Sequence, residues 1–572
     1  MNIDPITLEI LWNRLISIVN EQAAALMHAS FTTVVREAED LSAGVFDAQG
    51  NMLAQAVTGT PGHINTMANC VRDVVVPAHP IGTLQPGDTL ITNDPWDASG
   101  HLFDMTVVSP VIYRGRGVGW FASTCHAMDI GGVTFGADAR EVFEEGINIP
   151  LMKLFSSGEP NEDLFRIIRA NVRVPDQVVG DLYAQQVANQ VGIAKLEQML
   201  VEYKLADLET LSNLLLSRSE EAMRTAIAAV PDGTYHDEVM IDGFDEPLRI
   251  RVAVSVQHDE LIVDYDGTSP QVERGINVVY NYTHAYSTYP LKCAIGPHVP
   301  NNEGAFRPIT VRAPKGSLLN ARFPAAVGAR HLVGHFLSQV LFGALVQAIP
   351  DNVIADGSAG LWNTAFEGED ATGQLFSYVF FSVGGMGARP TQDGLSATSF
   401  PSGIKGVPAE VIESVAPILM HKRALRPNSG GPGKYRGGLG QEMVMEVLTE
   451  KPIVHSCMYD RTINPARGFL GGRPGASGEL FLSDGTHPHP KSKYFLNPGE
   501  RITLRLPGGG GFFPPWERDP QCVLEDSRQG LISIEAACDD YGVVIDPESG
   551  TIEQAATEQL RAQRISSQGD KH

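Results

Sequence analysis

The stretch from residue 93 to residue 132 constrains the fold most, because two apolar runs there carry polar side chains at their ends. The runs are MTVVSPVIY and GVGWFASTC, and both have the length and composition of strands. His101 and Asp104 lie where the loop NDPWDASG enters the first run, and His126 ends the second. Pairing of the two runs as a hairpin would bring the three side chains together.

Imidazole nitrogen and carboxylate oxygen suit Zn²⁺, Mn²⁺ and Fe²⁺, and three protein ligands plus a water molecule are usual at hydrolytic centres. His101, Asp104 and His126 supply that set. The chain has 16 histidines, however, and an H-x-x-D pair arises easily by chance. The alternative is that these side chains only tie down a loop through hydrogen bonds.

Further carboxylates follow the candidate ligands along the chain. Asp129 lies three residues after His126 and is a candidate to orient that imidazole and assist catalysis. Asp94, in Asn-Asp-Pro, either shapes a turn or plays a similar supporting role. Glu145 is a second catalytic candidate, although Glu144 and Glu145 also fit a solvated acidic face.

Two glycine-rich segments invite a phosphate-loop interpretation, at residues 429–440 and 507–516. The first, SGGPGKYRGGLG, has no Ser or Thr after Lys434, and the second, PGGGGFFPPW, has no helix after it to present amides to phosphate. We predict that both let backbones pass close together or form an interface loop. The chain is not expected to hydrolyse nucleotides alone.

Periodicity predicts an α+β fold, large and multi-layered, with a metal-binding α/β part first, then a long helical segment, and a strand-rich carboxyl-terminal part. Apolar residues recur at helical spacing over residues 4–36, again over 181–229, where one helix or a helical hairpin fits, and over 331–349. Alternation after residue 234 indicates strands. The expected regions are 1–230, 231–425, 426–552 and a helical tail, 553–572.

Composition narrows the class of protein. With 67 Asp and Glu against 43 Lys and Arg, the net charge of −24 argues against nucleic acid and anionic membranes as partners. Six cysteines without C-x-x-C spacing disfavour a thiolate zinc site and a disulfide framework. We find neither a signal peptide pattern nor an apolar run of membrane-spanning length, and expect a cytoplasmic protein.

The chain resembles the B subunit of the hydantoinase/oxoprolinase family, also called N-methylhydantoinase B, over nearly its whole length. The motifs that carry this resemblance are DPITLEILWNRL, EDLSAGVFDAQGNMLAQ, LQPGDTLITNDPWDASGHLFDMTVVSPV, EVFEEGINIPLMKL, NVRVPDQVVGDLYAQ, RPNSGGPGKYRGGLG, LPGGGGFFPPWERDP and EAACDDYGVV. The resemblance implies a metal centre built from Asp40, His101, Asp104 and His126. One departure stands out: many relatives place a second His after the downstream ligand, whereas Ala127 follows His126 here.

The resemblance also implies a reaction shared between two chains. An actin/hexokinase-like A subunit would use ATP and Mg²⁺ to phosphorylate the carbonyl oxygen of a lactam, 5-oxoproline or hydantoin. The B subunit would then complete ring opening with a water molecule activated by its metal ion. The alternatives are a subunit of a complex like acetone or acetophenone carboxylase, and a non-catalytic subunit with a structural metal.

Residues of the substrate pocket are diffuse in the sequence. We name Tyr282, His284 and Arg389 as candidates; Arg389 would hold a carboxylate or phosphate, or alternatively a structural ion pair. His331 and His335 share one helix face and form a minor rival metal site, although H-x-x-x-H without an intervening Glu is most often packing.

Overall fold

The computed structural model describes residues 3–398 and 400–569, and it shows an α+β protein with several sheets. Its helices are α1 Pro5–Ala29, α2 Thr33–Arg36, α3 Pro61–Asn69, α4 Val76–Ala78, α5 Val142–Glu145, α6 Glu162–Asn171, α7 Pro175–Glu202, α8 Glu209–Ala228, α9 Tyr280–Ile295, α10 Glu303–Phe306, α11 His331–Gly334, α12 Phe336–Leu345, α13 Ala409–Val415, α14 Pro520–Arg528, α15 Ile534–Tyr541 and α16 Gln554–Gly569. A π-helical segment, Cys70–Val75, joins α3 to α4. Among the helices described, none combines the length and apolar character needed to cross a bilayer.

The strands form four larger sheets and one two-stranded ribbon. They are β1 Leu41–Asp47, β2 Met52–Gln55, β3 Thr89–Thr92, β4 Asp104–Tyr113, β5 Arg116–His126, β6 Met152–Ser156, β7 Glu159–Pro160, β8 Gly233–Ile241, β9 Leu248–Gln257, β10 Glu260–Asp264, β11 Ile309–Arg312, β12 Trp362–Glu369, β13 Leu375–Ser382, β14 Ile418–Leu425, β15 Gln441–Val447, β16 Ile453–Met458, β17 Glu479–Leu482, β18 Lys493–Leu496, β19 Arg501–Arg505, β20 Ile545–Asp546 and β21 Thr551–Ile552.

The amino-terminal sheet has the order β2-β1-β5-β4-β3-β6-β7 and is antiparallel throughout. Helices α1 and α7 pack on it, and their buried amides bond strand carbonyls. Gln22 donates to the carbonyl of Ala122 at 3.0 Å, and Gln185 donates to that of Met105 at 2.9 Å. Because a buried amide needs a partner, these bonds fix the β4-β5 hairpin against the helices.

The long helical stretch predicted over 181–229 is the hairpin of α7 and α8. Its first helix begins at Pro175 rather than Asp181, because proline at the first helical position loses no hydrogen bond. The helices part where Lys204 adopts a left-handed φ of 55°. The helix predicted over 331–349 is likewise divided, into α11 and α12.

Three further sheets have the orders β11-β10-β9-β8, β13-β12-β16-β18 and β14-β15-β19-β17. Strand pairing in the last two crosses residue 425, since β12 bonds β16 and β14 bonds β15. Helix α12 packs on β8 and β9. The strand-rich part ends near residue 505 and is followed by α14 and α15, so the expected carboxyl-terminal region is partly helical.

The glycine-rich segments do let backbones pass close together, as predicted. The Gly431 amide donates to the Gly509 carbonyl at 2.7 Å, and the Gly509 amide donates to Gly438 at 2.9 Å. A Cβ on Gly437 would lie 1.9 Å from the Gly509 carbonyl oxygen, which no side chain tolerates. These glycines are therefore explained by packing between segments.

Candidate metal centre

Three neighbouring strands of the amino-terminal sheet bring the candidate ligands together at one edge, where β1 and β4 begin and β5 ends. Asp104 begins β4 and pairs directly with His126, the last residue of β5. Asp40 immediately precedes β1, whose first residue pairs with Cys125, and its carbonyl accepts a hydrogen bond from the His126 amide. Antiparallel pairing therefore places residues from distant parts of the chain side by side.

His101 reaches the same point from the loop before β4. Its Nδ1 lies 2.8 Å from the carbonyl oxygen of Gly328 and donates its proton there. Nε2 then carries a lone pair, lies 2.8 Å from Asp104 Oδ1, and is not aligned for a hydrogen bond with it. Two electron-pair donors at this distance repel unless a cation lies between them.

His126 completes the group. Its Nδ1 lies 3.3 Å from Asp104 Oδ1, and its buried Nε2 has no hydrogen-bond partner among the described residues. One potential ligand atom from each of His101, Asp104 and His126 lies within 4.8 Å of the others. Two unpartnered imidazole nitrogens and a carboxylate fit a divalent metal with N/O ligation.

Asp104 is fully buried and has four polar neighbours. His101 and His126 face Oδ1, whereas Oδ2 lies 2.9 Å from Nε2 of His63 and accepts from the Arg330 guanidinium. Burial acts to raise the carboxyl pKa, but His101, His63 and Arg330 together hold the pKa of Asp104 well below its ordinary value. Asp104 is therefore ionised, as a metal ligand must be.

Asp40 is the second carboxylate close to His63, after Asp104. Its Oδ1 accepts a hydrogen bond from Thr60 Oγ1 at 2.8 Å and lies 3.7 Å from His63 Nε2. Burial lowers the pKa of His63, yet the carboxylates of Asp104 and Asp40 outweigh it, so that this pKa is raised. His63 thus links the two predicted carboxylate ligands.

Burial keeps three further imidazoles of the centre neutral. Burial, with the charge of Arg330, lowers the pKa of His101 to about 3 and that of His335 to about 3. Burial and nearby His335 and Arg330 also hold the pKa of His331 well below its ordinary value. A neutral imidazole keeps the lone pair needed to bind a metal or accept a proton.

These side chains enclose a cavity of about 30 Å³. That volume suits an ion with water-sized ligands, and a larger ligand requires the walls to move. Aromatic rings close one side: Phe103 stacks on His126 with centroids 5.4 Å apart, and Phe135 contacts both His101 and His126. The cavity is lined by Asp40, Thr60, His63, His101, Asp104, His126, Phe135, Tyr282, Tyr286, Arg330, His331, His335, Leu361, Asn363, Phe381 and Ser402.

Sequence reasoning missed His63 and Arg330 and undervalued His331 and His335. His63 follows Pro61-Gly62 at the start of α3, and Arg330 precedes α11. No spacing relates either to the H-x-x-D pair, because more than 200 residues separate Arg330 from Asp104. The rival site at His331 and His335 belongs to the same cavity.

Tyr282, one of the three candidate substrate residues, lies on the cavity wall. The Cζ atom of Arg330 lies 4.2 Å from the centroid of its ring. The two catalytic candidates do not line the cavity. Asp129 pairs with Arg173 at 2.8 Å instead of orienting His126. Glu145 is buried behind His101, so the solvated acidic face applies to Glu144 alone, which pairs with Arg140.

His284 and Arg389 lie outside this cavity. The His284 Nδ1 contacts the Asn69 amide at 3.3 Å in a separate pocket with Arg72 and Glu303. Burial and the charge of Arg72 lower the pKa of His284 to about 4. Arg389 closes a local loop by donating to the carbonyl of Asp393. Neither reaches the proposed metal.

Fold and site together define a class: a large α+β protein whose amino-terminal sheet carries a buried histidine and carboxylate centre suited to a divalent metal. The chain belongs to the hydantoinase B/oxoprolinase family, whose model matches residues 4–515. This match confirms the resemblance found in the sequence motifs.

Three of the similar proteins each match most of this chain. A protein of Pseudomonas sp. (strain NS671), named as the B subunit of a D-/L-hydantoinase, is 32% identical, over 98% of this chain and 98% of that protein. The beta subunit of caprolactamase from Pseudomonas jessenii is 31% identical, over 98% and 99%. The 5-oxoprolinase of Saccharomyces cerevisiae is 30% identical over 90% of this chain, but only 42% of that longer protein.

Solved structures agree with the α+β fold. The ATP-dependent caprolactamase from Pseudomonas jessenii superposes with a TM-score of 0.90 at 28% identity, covering 98% of this chain and 100% of that one. Nucleotide-free acetone carboxylase also gives 0.90, covering 100% and 84%, but at 20% identity. The second likeness concerns the fold alone. Two of these relatives, from Pseudomonas sp. (strain NS671) and Pseudomonas jessenii, are named as subunits.

Proposed function

We propose that this chain is the metal-dependent B subunit of an ATP-dependent enzyme that opens a cyclic amide. The single observation that carries the metal assignment is the 2.8 Å approach of the His101 Nε2 lone pair to Asp104 Oδ1. Nothing but a proton or a cation relieves that repulsion, and the proton of His101 is already on Nδ1. Asp40, His101, Asp104 and His126 would hold the ion, with Zn²⁺, Mn²⁺ and Fe²⁺ all suited to the ligands.

The substrate class rests on the relatives. Hydantoin, 5-oxoproline and caprolactam, for which three relatives at 30% identity or more are named, are all cyclic amides. An unstrained amide is a poor electrophile, and phosphorylation of its oxygen would make the ring carbon easier to attack. Water would add to that carbon, the C–N bond would break with a proton passing to the nitrogen, and a second water molecule would hydrolyse the resulting acyl phosphate to carboxylate and phosphate. A carboxylase role has weaker support, because the acetone carboxylase likeness is one of fold.

The partner would supply the phosphorylation. The match with this chain covers 42% of the yeast 5-oxoprolinase, so more than half of that protein lies outside the match. By the family resemblance we assign ATP binding to a subunit of the A type, with Mg²⁺ bound there. The absence of a phosphate-loop motif from this sequence agrees with that division.

The residues of the cavity would divide the work. A metal ion held there would supply Lewis-acid chemistry for the ring opening. Arg330 and His63 keep the Asp104 carboxylate ionised and oriented. His331 is neutral, and its buried Nε2 has no hydrogen-bond partner in the described part of the chain, so it can accept a hydrogen bond from an attacking water molecule and orient it. The phenyl rings of Phe135 and Phe381 exclude bulk water.

Substitution of His101 or His126 tests the proposal. In the complex with its partner, His101→Ala and His126→Ala should each lose bound metal and abolish ATP-dependent ring opening, while the partner's own ATPase activity persists. Elemental analysis and product assays with 5-oxoproline, hydantoin and caprolactam measure both effects. The wild-type chain alone should show no ring opening.

His258→Ala is the matched control, because the His258 side chain is 92% exposed and pairs only with Asp232 on the surface. It should keep wild-type metal content and activity. Full metal occupancy in both cavity variants would overturn the metal site. Ring opening by the isolated chain without ATP would overturn the proposal that the reaction is shared between two chains. Wild-type activity in His101→Ala would favour the alternative of a non-catalytic, structural subunit.

A further inference from the structure

Glu145 is a buried carboxylate that binds a loop of the cavity from behind. It ends α5, and its side chain is fully enclosed at 3% exposure. Its Oε1 accepts two backbone hydrogen bonds, from the amide of Val327 at 2.8 Å and from that of Gly328 at 2.6 Å. No Lys, Arg or His forms an ion pair with it within the described residues, so these two amides are its main partners.

The loop that Glu145 binds carries two polar groups to the centre from a single turn, in which the Arg330 amide donates to the Val327 carbonyl. The Gly328 carbonyl accepts the Nδ1 proton of His101 at 2.8 Å. Two residues later Arg330 donates to the carboxylate of Asp104 and to the carbonyl of Ser99. The peptide group of Gly328 thus bonds Glu145 through its amide and lies next to the carbonyl that orients His101.

The packing around this contact leaves no space for adjustment. A Cβ on Gly328 would lie 3.0 Å from Glu145 Oε1, and a Cβ on Gly132 would lie 2.6 Å from the carbonyl carbon of Glu145. Gly328 therefore lies against the carboxylate of Glu145, and Gly132 lies against the backbone of Glu145. Because protein interiors are close-packed, a change in the position of this carboxylate would also shift the Gly328 peptide that it binds.

We propose that Glu145 is a positioning residue of the metal centre: by holding the Val327 and Gly328 amides, it fixes the carbonyl that orients His101. The inference rests on the metal site of the proposed function. Glu145 lies outside the cavity wall and touches no candidate ligand, so its part is to set the direction of the His101 Nε2 lone pair. Contacts of this kind behind a ligand change metal affinity by about 10- to 100-fold.

Cobalt(II) binding tests this role without any assay of activity. Titration of the purified full chain gives a dissociation constant, and the visible absorption band of Co²⁺ reports the geometry of its ligands. We expect Glu145→Ala to weaken Co²⁺ binding about 10- to 100-fold and to change the band. Glu145→Gln keeps an oxygen acceptor for both amides and should stay within about twofold of wild type.

Gly328→Ala changes the other partner of the same contact and leaves residue 145 as Glu. Its added methyl group should displace the carboxylate and weaken Co²⁺ binding in the same direction as Glu145→Ala. Glu144→Ala is the control, because Glu144 is the exposed neighbour that binds Arg140; it should bind Co²⁺ as wild type does. Circular dichroism establishes that each variant is folded, and Glu145→Gln and Gly328→Ala decide the matter if Glu145→Ala does not fold.

The outcomes separate this inference from the function on which it rests. Wild-type affinity and absorption in folded Glu145→Ala or Gly328→Ala would overturn the positioning role. Equal losses in Glu145→Gln and Glu145→Ala would also overturn it, since Gln keeps an oxygen acceptor for both amides and the effect would then not come from those contacts. If wild type binds no Co²⁺, or His101→Ala binds it equally well, the metal site itself fails.

Discussion

At the scale of single residues, Asp104 shows how the centre is built. Its two oxygens are shared among three imidazoles and one guanidinium, all buried. A buried carboxylate is costly unless it is paired and hydrogen-bonded, and Arg330 and His63 meet that need on the side away from the ligands His101 and His126. The ligand face of Asp104 thereby stays free for a cation.

Glu145 gives a prediction about pH. Burial raises the pKa of its carboxyl from an ordinary 4.5 to about 8, opposed by the amides of Gly328 and Val327 and by the charges of Lys493 and Arg330. The folded protein thus binds this proton more tightly than the unfolded chain does. The resulting contribution to the free energy of unfolding is complete below about pH 4.5 and is lost as pH rises through 8. The melting temperature of wild type relative to that of Glu145→Gln should therefore fall between pH 5 and 8.5, and this difference should then level off.

Thermal unfolding of both proteins across this range, without added metal, measures the difference. Gln stays neutral at every pH, and the other charged groups that face Glu145 are the same in both proteins. A difference in melting temperature that is constant from pH 5 to 8.5 would show that the carboxyl is already ionised at the lower end. The limiting slope is about 1.4 kcal/mol per pH unit for one proton.

At the scale of elements, the order β1-β5-β4 decides the geometry of the centre. The hairpin of β4 and β5 was readable from two apolar runs, and it places Asp104 opposite His126. The addition of β1 on the far side of β5 brings Asp40 to the same edge. The residue pattern of a strand shows which of its faces is buried but does not specify which strand pairs with it. Long-range pairing of this kind therefore cannot be predicted from local periodicity.

Gly119, in the middle of β5, tests this arrangement. A Cβ there would lie 2.4 Å from the carbonyl oxygen of Phe46 in β1, and backbone cannot turn aside as a flexible side chain does. We expect Gly119→Ala to force β1 from β5 and to destabilise the protein by about 1–3 kcal/mol. Chemical denaturation measures this change.

Gly82→Ala serves as the control for Gly119→Ala. Gly82 lies in a short 3₁₀ turn, and nothing lies within 4 Å of the position its Cβ would take. Its free energy of unfolding should stay close to that of wild type. Equal stability of the Gly119 variant and the control would show that the two strands separate at little cost.

At the scale of the whole molecule, a buried ionic network joins segments that are far apart in the chain. Asp356 binds Arg461 at 3.4 Å and Arg467 at 2.7 Å, and Arg467 also binds Asp237 of β8 at 2.9 Å. Asp356 and Arg461 are almost completely buried. The network therefore ties the sheet that contains β8 to the segment after β16.

Removal of Asp356 should leave the buried Arg461 guanidinium without its ion-pair partner. Because breaking a buried ion pair on one side exposes the full desolvation cost of the other, we expect Asp356→Ala to destabilise by about 3–5 kcal/mol. Asp266→Ala, at an exposed position, is the control. A loss below about 1 kcal/mol in denaturant titrations would mean that Gln339, which also contacts Arg461, suffices as a partner.

The sequence by itself determined the α+β class, most of the long helices, the β4-β5 hairpin and the group of His101, Asp104 and His126, because these depend on local periodicity and on one turn of chain. Resemblance to a family added Asp40. Only the tertiary structure decided that Asp129 binds Arg173, that His284 and Arg389 lie elsewhere, and that His63 and Arg330 hold Asp104. Contacts across more than 200 residues depend on how sheets and loops pack, and no spacing in the chain encodes them.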